Sequence, residues 1–344
     1  MILMTWHKYR SACGVFILAM VVLSLCGSML ATPPTLRQVA AIEIPGAPGF
    51  DSIIWAGNQL LLAHKGASTV DVFDPAKRRI VAHIDGISSP RGIELDPAAK
   101  RIFIADAGQS QIAVVNNDWK VQSTIPVDAP PVALLYVART QMLYYTAASQ
   151  PSLGVVDVAA HRQIATIPLD GRASQMTLDG QRGLIYVSVE DRNEIAVVNG
   201  EGKVIQKYAV NASQPTGLVV DAANRRLYVA VRYAVLALDQ DSGAETGRVP
   251  APAGVDAVLY SPQDHTLFAV ATDGTVDAIS VSGGEIRADA EFKADVKGHS
   301  LAFDTGKKLL YVPGGKEGQS RMVILRQFDV NGVPSSGNKT VAVK

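Results

Sequence analysis

The phrase LLLA at residues 60–63 returns as IFIA at 102–105, LYYT at 143–146, IYVS at 185–188, LYVA at 227–230, LFAV at 267–270 and LYVP at 310–313. The central residues of these phrases, which lie 40 to 43 residues apart, are Leu61, Phe103, Tyr144, Tyr186, Tyr228, Phe268 and Tyr311. A period of this size, carried by short apolar runs, is typical of repeats that each fold into a four-stranded sheet.

One complete unit runs from residue 214 to residue 249 and predicts four strands, at 218–220, 227–231, 235–239 and 246–249. Asp221 and Asp241 open the intervening turns, where an Asp side chain caps its own backbone. The second strand of each unit shows no polar alternation, which is typical of a strand buried on both faces. Because an isolated sheet cannot bury both faces, we expect an all-β fold, a seven-bladed β-propeller of four-stranded antiparallel blades with the recurring aromatic residues packed between blades.

The last unit predicts strands at 299–303, 309–312 and 322–328 but no fourth strand. Residues 39–45 precede the first unit and match the fourth strands of other units, so we expect this N-terminal strand to complete the last blade and close the ring. Residues 340–343 are the rival for that position, although a spacer-like segment separates them from the last unit.

The first 31 residues resemble an export signal. Lys8 and Arg10 precede an almost wholly apolar run at 14–25. An uncleaved membrane anchor and a lipoprotein signal with lipidation at Cys26 are alternatives. All three place the folded part outside the cytoplasm, in the periplasm or secreted. We therefore divide the chain into a signal peptide or N-terminal membrane anchor (1–31), a propeller (36–330) and a C-terminal tail (331–344).

The composition excludes several classes of protein. The chain has 344 residues, of which 48% are hydrophobic, and its 32 Lys and Arg balance its 32 Asp and Glu. No net field attracts nucleic acid, and we expect membrane contact only through the N-terminal segment. The two cysteines, Cys13 and Cys26, both lie in that segment. The exported part therefore has no disulfide, thiolate metal site, thiol nucleophile or attached c-type haem.

The phrases LYVAV, LIYVSV and LLYVPG, each followed by a V-x-V-x-D-like strand, resemble the YVTN-type β-propeller repeat family over roughly residues 36–330. The resemblance implies a seven-bladed propeller exported from a prokaryotic cell. Members include cell-surface and periplasmic binding proteins, and related propellers include lyases, lactonases and haem-associated domains. The chain lacks the Trp-Asp signature of WD40-like repeats and the periodic Gly-Gly pairs of kelch repeats.

In a propeller the first strand of each blade lines the central channel, so the residues that begin these strands meet at its mouth. Alignment on the central aromatic residues places Arg91, Val132, Ser174, Thr216, Asp256 and His299 at equivalent positions, and in the irregular first blade Asp51 is the nearest polar candidate. The polar members of this set, Asp51, Arg91, Ser174, Thr216, Asp256 and His299, are the predicted ligand-binding residues. Asp256 and His299 come from neighbouring blades, within reach of a hydrogen bond. One hypothesis is a small polar or anionic ligand held by Arg91 and His299; the other is that these charges solvate a water-filled channel and pair with one another.

The loops between second and third strands share this face. They contribute a mixed set of polar side chains, namely His64, Lys65, Asp106, Glu190, Asp191, Arg232, Tyr233, Asp273 and Lys316. Arg232 and Tyr233 are the most typical of an interface. His83, His161 and His265 fall on outer strands or turns, where we expect them to face solvent. Because the sequence has no metal-ligand spacing, Gly-rich phosphate loop or nucleophile elbow, it predicts no metal and no cofactor.

These features favour a monomeric, non-catalytic binding or interaction module whose partner is an envelope protein, a glycan or a small polar ligand. The alternative is a small-molecule lyase or lactonase-like enzyme that uses His299 and Asp256 for acid–base chemistry at the channel mouth. A third hypothesis, haem or quinone carriage, rests only on His299 as an axial ligand.

Overall fold

The computed structural model describes residues 35–328, which form 28 β-strands and two short 3-10 helices, Lys65–Ala67 and Glu190–Arg192. The strands make seven separate four-stranded antiparallel sheets, and these confirm the predicted seven-bladed propeller. The predicted signal or anchor, the C-terminal tail and the rival closing strand at 340–343 lie outside the described residues. Within the described part of the chain no helix is both long and apolar enough to cross a membrane.

Each of the first six blades uses four consecutive strands, from the innermost first strand to the outermost fourth. Blade 1 contains β2 (Phe50–Ala56), β3 (Gln59–His64), β4 (Thr69–Asp74) and β5 (Arg79–Ile84); blade 2 contains β6 (Pro90–Asp96), β7 (Arg101–Asp106), β8 (Gln111–Val115) and β9 (Val121–Pro126); blade 3 contains β10 (Pro131–Val137), β11 (Met142–Ala147), β12 (Ser152–Asp157) and β13 (Arg162–Pro168). Blade 4 contains β14 (Ala173–Asp179), β15 (Leu184–Val189), β16 (Glu194–Val198) and β17 (Val204–Ala209); blade 5 contains β18 (Leu218–Asp221), β19 (Arg226–Val231), β20 (Ala234–Asp239) and β21 (Glu245–Pro250); blade 6 contains β22 (Val255–Ser261), β23 (Thr266–Ala271), β24 (Thr275–Ser282) and β25 (Glu285–Lys293).

Blade 7 combines both ends of the described chain. Its inner strands are β26 (Ala302–Asp304), β27 (Leu309–Lys316) and β28 (Gln319–Phe328), and its fourth strand is β1 (Thr35–Ile44). β1 pairs antiparallel with β28, from Thr35 opposite Phe328 to Ile44 opposite Ser320. The predicted closure of the ring by the N-terminal strand is therefore confirmed, and it covers a sheet edge that would otherwise stay open.

The recurring aromatic residues form contacts between neighbouring blades, as predicted. Phe103 of blade 2 lies 5.1 Å from Tyr136 of blade 3, measured between ring centroids, and Phe268 of blade 6 lies 4.7 Å from Phe303 of blade 7. Both members of each pair are buried. Since burial of such rings is a large favourable term, this layer between blades holds the ring together without disulfides.

The turns follow the predicted chemistry. Asp179 ends the first strand of blade 4, and its Oδ1 accepts hydrogen bonds from the backbone N–H groups of Gln181 and Arg182 at 2.9 and 3.1 Å. The last turn residue before the second strand adopts a left-handed conformation, with φ of +54° at Lys100 and +55° at Gln141. These tight turns bring the second strand directly back against the first.

The alternating strands divide the loops between two faces. One face, here called the mouth face, carries the connections between blades and the loops between second and third strands. The opposite face, here called the rear face, carries the turns between first and second strands and between third and fourth strands. The channel mouth opens on the mouth face, because every first strand begins there.

Candidate functional site

The first strands of all seven blades surround an axial cavity of about 370 Å³. Residues at equivalent register form an apolar ring inside it, composed of Ile53, Ile93, Leu134, Met176, Leu218, Val258 and Leu301. Neighbouring first strands approach closely at Gly92, where a Cβ atom would lie only 2.7 Å from the carbonyl oxygen of Val132. The rigid inner strands therefore fix the residues at the mouth.

Four charged residues form a continuous arc at the mouth. Arg91 Nη1 lies 2.5 Å from Asp51 Oδ2, and His299 Nδ1 lies 2.7 Å from Asp256 Oδ2. In order around the ring, Arg91, Asp51, His299 and Asp256 come from blades 2, 1, 7 and 6. We call this alternating set the charged arc; each of its cations lies beside a carboxylate of the same chain.

The charged arc also sets the protonation of its histidine. Hydrogen bonding to Asp256 raises the pKa of His299, and burial opposes this shift. The negative charges of Asp256 and Asp51 and the backbone carbonyl of Phe50 add to the increase. His299 therefore holds its proton more tightly than a free histidine, and the signs of the arc alternate over a wider pH range.

At the equivalent positions the other three blades carry no charge. Val132 and Ser174 line the cavity. The hydroxyl of Thr216 instead donates a hydrogen bond to the carbonyl oxygen of Val255 at 3.0 Å, and so it ties blade 5 to blade 6. The structure thus brings five of the six predicted residues to one cavity and gives Thr216 a partner in the backbone.

Ser300 and Glu94 are among the lining residues that escaped the sequence analysis. Ser300 is only 7% exposed, and its hydroxyl has no hydrogen-bond partner among residues 35–328; the same holds for the buried Nε of Arg91. Glu94 lies deeper, and burial raises its pKa to about 7. Its position matches Ile54 and Leu135 in neighbouring blades. Extending the alignment three residues beyond Arg91 would have revealed this acid at a position that is uncharged in the other blades.

Two residues predicted to lie among the mouth-face loops are completely buried. Asp106 accepts hydrogen bonds from the Ser88 hydroxyl and the Ser89 backbone N–H, at 2.9 and 3.0 Å. His64 Nδ1 lies 2.7 Å from Asp71. Their predicted position in the loops was wrong, because both residues end second strands. Their polar atoms hold connecting segments in place.

The exposed members of that set include Tyr233, which is 59% exposed and lies beneath Arg232, with the guanidinium carbon 5.5 Å from the ring centroid. A second cavity, of about 860 Å³, lies between blade 6, blade 7 and the segment that leads into blade 1. Its charged walls also pair internally, Lys293 with Asp273 and Lys316 with Asp295. Among residues 35–328 no group of three or more His, Cys, Asp or Glu is placed to hold a metal ion.

Comparison with known proteins adds information on the fold. No family model matches the sequence, and no curated protein matches it. Among solved structures, the chain is similar to one titled Kuenenia stuttgartiensis hydrazine synthase, with a TM-score of 0.68 and 12% sequence identity. The match covers 80% of this chain and 95% of the other. At this identity the similarity supports the seven-bladed propeller architecture alone.

Proposed function

We propose that the protein is an exported, YVTN-type propeller that acts as a binding module, with its ligand site at the channel mouth. The observation that carries this proposal is the charged arc, in which side chains from four separate blades converge beside a cavity of about 370 Å³. This volume falls within the range of small-molecule sites. The rigid ring holds the arc in position before any ligand arrives.

The ligand that fits best is a small, uncharged, polar molecule. Arg91 and His299 each already face a carboxylate, and an anionic ligand would also meet Asp51 and Asp256. The Ser300 hydroxyl and the Nε of Arg91 are buried beside the cavity without protein partners, so a ligand that reaches them gains hydrogen bonds without breaking existing ones. The apolar ring below contacts a ligand's carbon skeleton. This combination favours a carbohydrate or polyol over a carboxylate.

The surroundings of His299 also favour binding over catalysis. The Nδ1 atom of its imidazole lies 2.7 Å from Asp256, and this contact is the main reason why the pKa of His299 is raised. A histidine that its neighbours keep protonated is poorly suited to take a proton from a substrate.

A melting-temperature screen tests the proposal. We expect neutral saccharides and polyols to raise the melting temperature of the wild-type protein more than citrate or gluconate does. Ser300→Ala should reduce that increase, whereas Ser213→Ala, a hydroxyl removed elsewhere on the mouth face, should not. An increase in melting temperature produced only by citrate and gluconate, or an equal increase in the two variants, would contradict the proposed site.

One observation supports the alternative of a lyase or lactonase-like enzyme. A histidine with a raised pKa, 2.7 Å from a carboxylate, suits a general acid. Turnover of a panel of lactones, abolished by His299→Gln and kept by His161→Gln, would establish this role. Absence of turnover by the wild-type protein across the panel would leave the binding module as the function.

A further inference from the structure

The neutral total charge conceals opposite charges on the two faces of the ring. The rear-face turns carry ten Lys or Arg and four Asp or Glu, namely Lys77, Arg78, Lys100, Lys120, Arg139, Arg182, Lys203, Arg225, Lys307 and Lys308 against Asp118, Glu201, Asp241 and Asp264. The mouth-face loops between strands hold five Lys or Arg and eight Asp or Glu. Acids at the rear ends of strands, among them Asp179, Asp221 and Asp239, offset the rear-face excess on blades 4 to 7.

The excess of positive charge is concentrated on blades 1 to 3. Six cations there have no carboxylate partner among residues 35–328, and we call them the basic arc: Arg78, Arg79, Lys100, Lys120, Arg139 and Arg162. On blades 4, 5 and 7 the rear-face cations are paired, for example Arg182 with Asp241 and Lys308 with Asp264. The ring thus has one strongly basic side on its rear face.

The acids nearest the basic arc are already engaged. Asp74 accepts hydrogen bonds from the backbone of its own turn and pairs with Lys77 at 3.2 Å. Asp96 pairs with Arg101 at 2.7 Å and is 3% exposed. Asp157, opposite Arg162, accepts hydrogen bonds from the backbone of its own turn. Asp118 is the exposed acid within the turns of these blades. The cations of the basic arc are therefore exposed to solvent, and few free carboxylates lie near enough to neutralise them.

The chain enters the propeller on this same face. β1 begins at Thr35, opposite Phe328, at the rear end of blade 7. The predicted export signal or anchor lies before it, and Cys26 is only nine residues away. Nine residues reach at most about 30 Å. A chain attached to a membrane at residues 12–31 therefore holds its rear face close to the lipid headgroups.

We propose that the basic arc docks the rear face on an anionic phospholipid surface and turns the mouth face away from the membrane. Each Lys or Arg near such a surface strengthens binding by roughly fivefold, and salt screens the attraction. The acidic excess of the mouth face favours the same orientation, since that face is repelled. This inference is independent of the ligand at the channel mouth.

The experiment uses residues 33–344, which contain all 28 strands and both strands of the closing pair but lack the predicted anchor. Binding is measured by co-sedimentation with vesicles of phosphatidylglycerol and phosphatidylcholine, and with vesicles of phosphatidylcholine alone. The test variant is Arg78→Ser/Arg79→Ser/Arg139→Ser. The matched control, Arg172→Ser/Arg192→Ser/Arg232→Ser, removes three cations from the mouth face, and circular dichroism melts verify that both variants fold.

We expect the parent protein to bind the anionic vesicles, to release them as salt is added, and to ignore the neutral vesicles. The rear-face variant should bind at least about tenfold more weakly, and the control should bind as the parent does. The proposal is overturned if the parent fails to bind, if it binds both vesicles equally, or if the two variants lose affinity alike. Binding to a DNA duplex without binding to vesicles would also overturn it.

Discussion

The Nε2 atom of His64 lies 2.8 Å from the carbonyl oxygen of Ala47, in the segment that joins the closing strand to blade 1. The other ring nitrogen lies 2.7 Å from Asp71, and the ring stacks on Phe50 with centroids 4.1 Å apart. Ser320 of blade 7 completes the set, with its hydroxyl oxygen 3.3 Å from Nε2. A fully buried imidazole therefore links blade 1, blade 7 and the connecting segment at the closure of the ring.

His64→Ala should lower the free energy of unfolding by about 3 kcal/mol, because it leaves the Oδ2 atom of the buried Asp71 and the Ala47 carbonyl without their partner and opens a cavity. Chemical denaturation measures this loss. The matched control is His83→Ala, which removes the other histidine bound to Asp71, at 2.8 Å, but from a side chain that is 48% exposed. We expect a loss of less than about 1 kcal/mol there. Equal losses would show that His64 does not lock the closure.

The protonation of His299 should respond to its partner. The raised folded pKa means that its stabilising contribution is complete below the unfolded value of 6.5 and is lost as the pH rises through the folded value. Asp256→Asn should lower the pKa of His299, since it removes the first cause of the shift. An NMR titration of the imidazole protons measures the pKa of His299 in the wild type and in Asp256→Asn. An unchanged titration midpoint in Asp256→Asn would contradict the ion pair at the mouth.

Glu94 should destabilise the protein as the pH rises. Burial raises its pKa from 4.5 to about 7, so its favourable contribution is complete below 4.5 and is lost as the pH approaches 7. Glu94→Gln, which stays neutral, should therefore have a free energy of unfolding about 3 kcal/mol above that of the wild type at alkaline pH and equal to it at acidic pH. Unfolding curves at both pH values test this. Glu43→Gln, at an exposed position on β1, should leave the free energy of unfolding unchanged at both pH values.

The left-handed turn residues should tolerate glycine. Gln141 has a φ of +55°, which costs a residue with a Cβ atom roughly 1 kcal/mol. Gln141→Gly should raise the free energy of unfolding by up to about 1 kcal/mol. Ala160→Gly, in the other rear-face turn of blade 3 at an ordinary φ, should lower it by about 0.5 kcal/mol. A gain from both substitutions would refute the assignment of strain to Gln141.

The fold was predictable because repetition makes each element visible seven times. The spacing of Leu61 to Tyr311 revealed the blades, and the unmatched residues 39–45 revealed the closure. The pairing at the mouth was only partly predictable, since alignment placed Arg91 and Asp51 on neighbouring blades but not in contact. The burial of His64 depends on Ser320, 256 residues away, and no local pattern shows such a contact. The charge of the rear face likewise appears only when the turns are sorted by face.

The central claim is that Asp51 compensates Arg91 and so makes the mouth selective for neutral ligands. Calorimetric titration of wild type and Asp51→Asn with gluconate, and with the neutral saccharide that gives the largest melting shift, tests it most directly. We expect the wild type to bind the saccharide and not gluconate, and Asp51→Asn to gain gluconate binding by at least about tenfold because Arg91 is released. Tight gluconate binding by the wild type, or no gain in Asp51→Asn, would contradict the account.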